Sequence, residues 1–97
     1  MLYEEINLLA QEQWLWVDKM GWHNKLPLEY VALIASEIGE VANECRGEQP
    51  TEKLGEELAD IILRTLDMGH QFGFNMSAEI QAKMIKNYNN GTRGRLK

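Results

Sequence analysis

Apolar residues recur every three or four positions along most of the chain, which is the periodicity of amphipathic helices. Four stretches show it, over residues 2–20, 28–46, 52–72 and 77–89. The links between them are short, and no stretch shows the alternation that is typical of a strand. The pattern predicts an all-α fold, in which a single domain over residues 1–97 forms a four-helix antiparallel bundle.

Turn-forming residues mark the ends of these stretches. Gly21 suits the left-handed position that follows a helix, and Pro27 suits the first turn of the next one. Thr51 and Ser77 are expected to cap the N-termini of the third and fourth helices.

The apolar stripes predict which faces are buried. On the first helix the stripe is broad enough to suggest contact on two sides, the second with another subunit, although a well-wrapped monomer is the alternative. That stripe comprises Leu2, Ile6, Leu9, Trp16 and Met20, widened by Leu8 and Leu15. The residues expected to face the core elsewhere are Val31, Ile34, Ile38, Val41 and Cys45, then Leu54, Leu58, Ile61, Ile62, Thr65, Met68 and Phe72, and finally Ile80, Met84 and Tyr88.

Two pairs of acidic residues interrupt these apolar faces. Glu37 and Glu40 are three positions apart on the second helix, as are Glu57 and Asp60 on the third, so each pair shares one helix face. Two carboxylates about 4 Å apart repel by roughly 4 kcal/mol at an effective dielectric constant near 20. Shared protons, basic partners or a hard divalent cation would cancel that cost, and we favour Mg²⁺ over the alternative of solvent-facing acids.

Other polar residues lie near these acids in the pattern. Arg64 is expected to pair with a carboxylate, and Asp67 is a candidate fifth acid or water-orienting group. Glu44 is either an outer ligand or, as we favour, a solvated residue. In the loop after the first helix, Trp22 and His23 either contact a ligand's ring or are, respectively, a cap on the core and a surface residue.

Composition narrows the class of protein. The net charge is −5, which argues against nucleic-acid polymers as partners, because phosphate contacts need a basic surface. The single cysteine, Cys45, excludes an intrachain disulfide and is expected in the core. No apolar run is long enough for a membrane span and no signal peptide is evident, so we expect a cytoplasmic protein with no membrane partner.

The acidic motifs, their order and their spacing resemble the signature of the MazG-like, all-α nucleoside triphosphate pyrophosphohydrolases. Glu37-x-x-Glu40 is followed, after 16 intervening residues, by Glu57-x-x-Asp60. The sequence around both motifs also resembles that family's second and third helices. The segment from Lys83 to Asn87 resembles the family's basic motif on helix four. The likeness covers nearly the whole chain.

The resemblance implies a hydrolase that converts a nucleoside triphosphate, often a deoxy or non-standard one, to the monophosphate and pyrophosphate. It implies that Glu37, Glu40, Glu57 and Asp60 are catalytic and bind Mg²⁺. Lys83 and Asn87 would contact the phosphates, and Trp22 and His23 would flank the base. The family commonly has an arginine where this chain has Asn90, so Arg93 or Arg95 is expected to substitute as a phosphate contact. Family members assemble as homodimers or homotetramers.

Three alternatives stay open at this point. A non-enzymatic helical oligomer that binds nucleotide or metal as a regulatory module would keep the acids without turnover. A di-iron carboxylate bundle would need Glu-x-x-His motifs, and only Asp67 and His70 come near that pattern. Phosphoribosyl-ATP pyrophosphohydrolases and dimeric dUTP hydrolases share the acidic motif.

Overall fold

The computed structural model describes residues 3–91, and within that range it is all-helical, without strands. Its helices are α1 (Glu4–Lys19), α2 (Pro27–Asn43), α3 (Leu54–Gln71) and α4 (Met76–Asn90). The prediction of an all-α fold with four helices is confirmed, and every helix end lies within three residues of its predicted position.

Glycine ends two of the helices in the same way. Gly21 and Gly73 have φ values of 77° and 84°, a left-handed conformation that carries no Cβ penalty in glycine. After α1, the Gly21 N–H donates to the Asp18 carbonyl and the Trp22 N–H to the Val17 carbonyl, a Schellman motif. Pro27 occupies the first turn of α2 as predicted.

The N-terminus of α4 differs from the prediction because Asn75, two residues before Ser77, is the cap. The Asn75 Oδ1 atom accepts from the Ala78 N–H at 3.0 Å. The Ser77 hydroxyl instead accepts from the Tyr3 N–H of the segment before α1, also at 3.0 Å. Asn7 joins the same contact, donating to Asn75 Oδ1 and accepting from the Ser77 N–H. These bonds fasten the start of α4 to the start of α1.

The third helix is the centre of the arrangement, since it contacts each of the other three. Both α1 and α2 pack along α3, whereas no Cα of α1 (Glu4–Lys19) lies within 8 Å of one in α2 (Pro27–Asn43), and the same holds for α2 and α4 (Met76–Asn90). The two helices that flank α3 therefore leave a gap between them, and α3 is the one described helix that packs against α2.

Consequently the buried core is small. The apolar residues with less than a tenth of their surface exposed are Ala10, Tyr30 and Leu66. Several predicted core positions are wrong for the single chain, because the helix faces that carry them have no neighbour. These exposed residues are Leu8, Leu9, Leu15, Trp16, Met20, Val31, Ile38, Cys45, Leu58, Ile62, Thr65, Phe72, Met84 and Tyr88.

The described residues contain no helix whose length and apolar character would suffice to cross a bilayer.

Candidate functional site

Three of the four predicted acidic ligands converge between α2 and α3. Oxygens of Glu37, Glu57 and Asp60 all lie within 4.8 Å of one another, and all three residues are half-buried. We call these three residues the acidic triad. Glu40 is exposed and lies outside the triad. The triad forms because α2 and α3 pack together, so that one acid of α2 faces the pair on α3.

The charges of the cluster act on one another. Partial desolvation, followed by the negative charges of Asp60, Glu40, Glu37 and Glu56, raises the pKa of Glu57 above its usual value. Glu40 therefore lies near enough to affect Glu57 electrostatically although it is not in the triad. The cost of ionising these acids together is the repulsion that the sequence predicts.

Arg64 offsets part of this charge. Its Nε atom lies 3.5 Å from Oε1 of Glu37, whose side chain is only 14 % exposed. The predicted pairing of Arg64 with a carboxylate is confirmed, and the partner is on α2 rather than on its own helix. One cation against three acids leaves a negative site whose donors are all oxygens, which is the ligand set that Mg²⁺ and Ca²⁺ prefer.

A cleft of about 270 Å³ adjoins the triad, in the gap between α1 and α2. Asp60 belongs to both the cleft wall and the acidic triad, and Arg64, which pairs with Glu37 of the triad, also lines the cleft. From α1 the wall includes Gln13, Trp16 and Val17, and from the loop and α2 it includes Trp22, Lys25, Tyr30 and Leu33. The cleft thus combines aromatic surface with a few polar groups, as small-molecule sites usually do.

The predicted ring-binding residues of the loop have different surroundings. Trp22 is 46 % exposed, lines the cleft, and meets Trp16 edge-on with ring centroids 5.3 Å apart. The side chain of His23 is only 7 % exposed, so it is not the surface residue of the alternative interpretation. His23 stacks on Trp14 at 4.9 Å, which leaves Trp22 as the loop residue with a free ring surface in the cleft.

Both ring nitrogens of His23 face carboxylates. Its Nε2 atom is 2.8 Å from Oδ1 of Asp67, and its Nδ1 atom is 3.1 Å from Oδ1 of Asp18. An ionised carboxylate only accepts, so a ring nitrogen that bonds to one must carry a hydrogen. His23 therefore ties the loop to α1 and to α3, and it fixes the position of Asp67 in the cleft wall.

Tyr30 is the functional candidate that the sequence interpretation missed. The residue is 5 % exposed, and its hydroxyl is buried without a hydrogen-bond partner among the described residues. Burial, then the charges of Asp67 and Glu29, raises the pKa of this hydroxyl above its usual value. In the sequence, the spacing of Tyr30 is that of an apolar position of α2. Only the packing of the structure distinguishes it from the other apolar positions.

The predicted phosphate contacts lie on α4. Lys83 is exposed, whereas Asn87 is half-buried and its Oδ1 atom has no partner among the described residues. Because α4 does not contact α2, a single chain does not bring this helix against the α2 side of the triad. Arg93 and Arg95 lie outside the described residues. Glu44 is half-buried and accepts from the Thr51 hydroxyl, so it is bonded within the α2–α3 link.

Comparison with models of known protein families, with curated proteins and with solved structures finds no match.

Proposed function

We propose that the protein is a Mg²⁺-dependent nucleoside triphosphate pyrophosphohydrolase of the MazG-like type, which converts a (deoxy)nucleoside triphosphate to the monophosphate and pyrophosphate. The observation that carries the proposal is the acidic triad beside the aromatic cleft. An oxygen-only cluster suits a metal bound to phosphates, and the cleft is large enough for a base and sugar. Asp60 belongs to both the triad and the cleft wall, and Arg64 of the cleft wall pairs with Glu37 of the triad, so a single ligand can occupy the triad and the cleft at once.

The donor set of the triad fits magnesium. Glu37, Glu57 and Asp60 would hold the ion, which when bound neutralises phosphate charge and makes water a better nucleophile. In the proposed reaction a water oxygen bonds to the α-phosphorus, the bond from that phosphorus to the α–β bridging oxygen breaks, and pyrophosphate leaves. Glu40, adjacent to the triad but outside it, is free to accept the proton of the attacking water.

Surface area supports the proposal of a homodimer or homotetramer. The accessible surface of the structure is 7559 Å², roughly a third more than the about 5,700 Å² expected of a compact monomer of this mass. The Cα radius of gyration is 15.3 Å, against about 12.5 Å for a compact domain of this length. A second chain that covers the exposed apolar face of α2 and α3 would bury part of this surface. It would also allow a partner's α4 to supply Lys83 and Asn87.

Phosphorus NMR with a panel of ribo- and deoxyribonucleoside triphosphates, with and without Mg²⁺, tests the reaction. We expect Mg²⁺-dependent monophosphate and pyrophosphate. Diphosphate and inorganic phosphate would refute attack at the α-phosphorus. Binding without turnover would instead favour the regulatory module.

Variants separate the roles of the acids. Asp60→Asn is expected to abolish both turnover and Mg²⁺-induced thermal stabilisation, whereas Glu40→Gln is expected to abolish turnover and keep the stabilisation. Glu48→Gln, which replaces an exposed acid in the turn after α2, is the matched control and should leave both unchanged. Normal turnover of the Asp60 or Glu40 variant would refute that residue's assignment.

A further inference from the structure

The cleft contains one anionic acceptor whose position is fixed. Asp67 is 6 % exposed and lines the cleft, and its Oδ1 atom is held by His23 at 2.8 Å. The second carboxylate oxygen, Oδ2, makes no hydrogen bond within residues 3–91. A carboxylate accepts and never donates, so a ligand atom that meets Oδ2 must carry a hydrogen.

The same cleft contains one buried donor without a partner. The Tyr30 ring is fixed by an edge-on contact with Phe72, at a centroid distance of 5.5 Å, and by Lys25, whose Nζ lies 5.7 Å from the ring centroid. Its hydroxyl is buried and unbonded among the described residues, although Asp67 is near enough to raise its pKa. Buried hydroxyls are nearly always bonded, so this one is available to a hydrogen-bonding group of a ligand.

Each cation of the cleft has one partner within the described residues. Lys25 donates to the Trp22 carbonyl, and Arg64 pairs with Glu37. Both cations keep further N–H donors. The cleft residues that are more than nine-tenths buried and carry an unbonded polar atom, within the described part of the chain, are Asp67 and Tyr30. The amide of Gln13 also lines the wall, but an amide both donates and accepts and does not discriminate between ligands.

We propose that Asp67 and Tyr30 determine base specificity, and that they select a ring with an exocyclic amino group next to an unprotonated ring nitrogen, as in cytosine and adenine. The inference rests on the proposed function, since it takes the ligand to be a nucleotide. The amino group donates to Asp67 Oδ2, and the ring nitrogen accepts from the Tyr30 hydroxyl. His23 is a positioning residue that acts through Asp67.

The other bases match the hydrogen-bonding groups of Asp67 and Tyr30 less well. Uracil and thymine present an N–H flanked by two carbonyl oxygens, which brings a carbonyl against the carboxylate. Guanine presents two adjacent donors, which suit a carboxylate with both oxygens free, but His23 occupies one oxygen of Asp67. Trp22, with its exposed ring at the same cleft, supplies stacking that is common to all bases.

Calorimetric binding of non-hydrolysable α,β-imido nucleotides in Mg²⁺ tests the inference, with the cytidine and uridine compounds as one matched pair and the adenosine and inosine compounds as the other. We expect the amino member of at least one pair to bind about tenfold more tightly, and the two pairs separate a pyrimidine from a purine site. Tyr30→Phe should remove most of this preference while keeping the fold, because it deletes only an unpartnered hydroxyl. Tyr88→Phe, at an 84 % exposed tyrosine on α4, is the control.

Asp67→Asn should lower or reverse the affinity ratio between the amino compound and the keto compound of a pair, because an amide can donate to a carbonyl oxygen. The inference would be overturned if the uridine and inosine compounds bound as tightly as their amino partners or more tightly. It would also be overturned if Tyr30→Phe left the affinity ratio within each pair unchanged. Turnover of every base at one rate would overturn it too, while supporting the proposed reaction. An amino preference without turnover would support the specificity and refute the reaction, and the absence of binding by any nucleotide would overturn both.

Discussion

The contact between His23 and Asp67 is expected to hold much of the fold together. Both side chains are more than nine-tenths buried, at 7 % and 8 % exposed. Removing one partner of a buried pair leaves an uncompensated charge, which typically costs about 3–5 kcal/mol. Small domains are stable by only about 5–15 kcal/mol, so His23→Ala should lower the melting temperature by more than roughly 10 °C.

The two hydrogen bonds of His23 should contribute unequally. Asp18 is 53 % exposed, and exposed ion pairs contribute only about 0–1 kcal/mol. Asp18→Asn is therefore the control for loss of a carboxylate at the same imidazole. His23→Gln, whose amide can reach the position of Nε2, should restore part of the stability that the alanine variant loses.

Urea unfolding at one protein concentration, followed by circular dichroism, measures these differences in the free energy of unfolding. If the slope of that free energy against urea concentration is the same in every variant, the unfolded state is unchanged. The double-mutant cycle of His23→Ala with Asp67→Asn should give a coupling energy of about 1–3 kcal/mol. Additivity within about 0.5 kcal/mol would refute the bridge, as would an Asp18→Asn variant that loses as much as His23→Ala.

Three other perturbations test separate parts of the structure. Gly69→Ala would place a Cβ against the Met76 side chain, 2.6 Å from its Cγ, and is expected to cost about 1–3 kcal/mol in urea unfolding. Because the pKa of Glu57 is raised on folding, its ionisation destabilises the fold as pH rises above the usual value of 4.5. Without metal, Glu57→Gln should therefore melt above wild type at pH 8, and a difference that persists below pH 4.5 would contradict this cause. Ile62→Lys, on the exposed face of α3, should convert a dimer or tetramer to smaller species in sedimentation, whereas a wild-type monomer would refute the proposed assembly.

Local chemistry explains which elements could be predicted from the sequence. Gly21 and Pro27 constrain the backbone wherever they occur, so the end of α1 and the start of α2 followed from residue type. Asn75 and Ser77 are both good caps, and the choice between them depends on Tyr3, which is 74 positions from Ser77 and bonds its hydroxyl. A contact over that separation has no local signal.

Helix faces were harder to predict than helix ends. An apolar stripe shows that a face is covered by something, and it does not show whether the cover belongs to the same chain. Ile38 and Ile62 are each 54 % exposed, although their spacing is that of core residues. For the candidate site the same limit applies. Spacing predicted a cluster of four acids, of which three form the triad and Glu40 does not, while Tyr30 and the His23–Asp67 contact depend on packing.

The cleft and the stability of the fold depend on the same few contacts. No Cα of α1 lies within 8 Å of one in α2, and the loop between these helices is held by side-chain bonds, chiefly those of His23 to Asp18 and Asp67. The bridge that holds α1, the loop and α3 together is thus also the bridge that directs Asp67 toward a ligand. If so, His23→Gln should lower the preference between paired nucleotides and the melting temperature together, whereas Tyr30→Phe should lower the preference and leave the melting temperature unchanged or higher, since it removes an unpartnered buried hydroxyl.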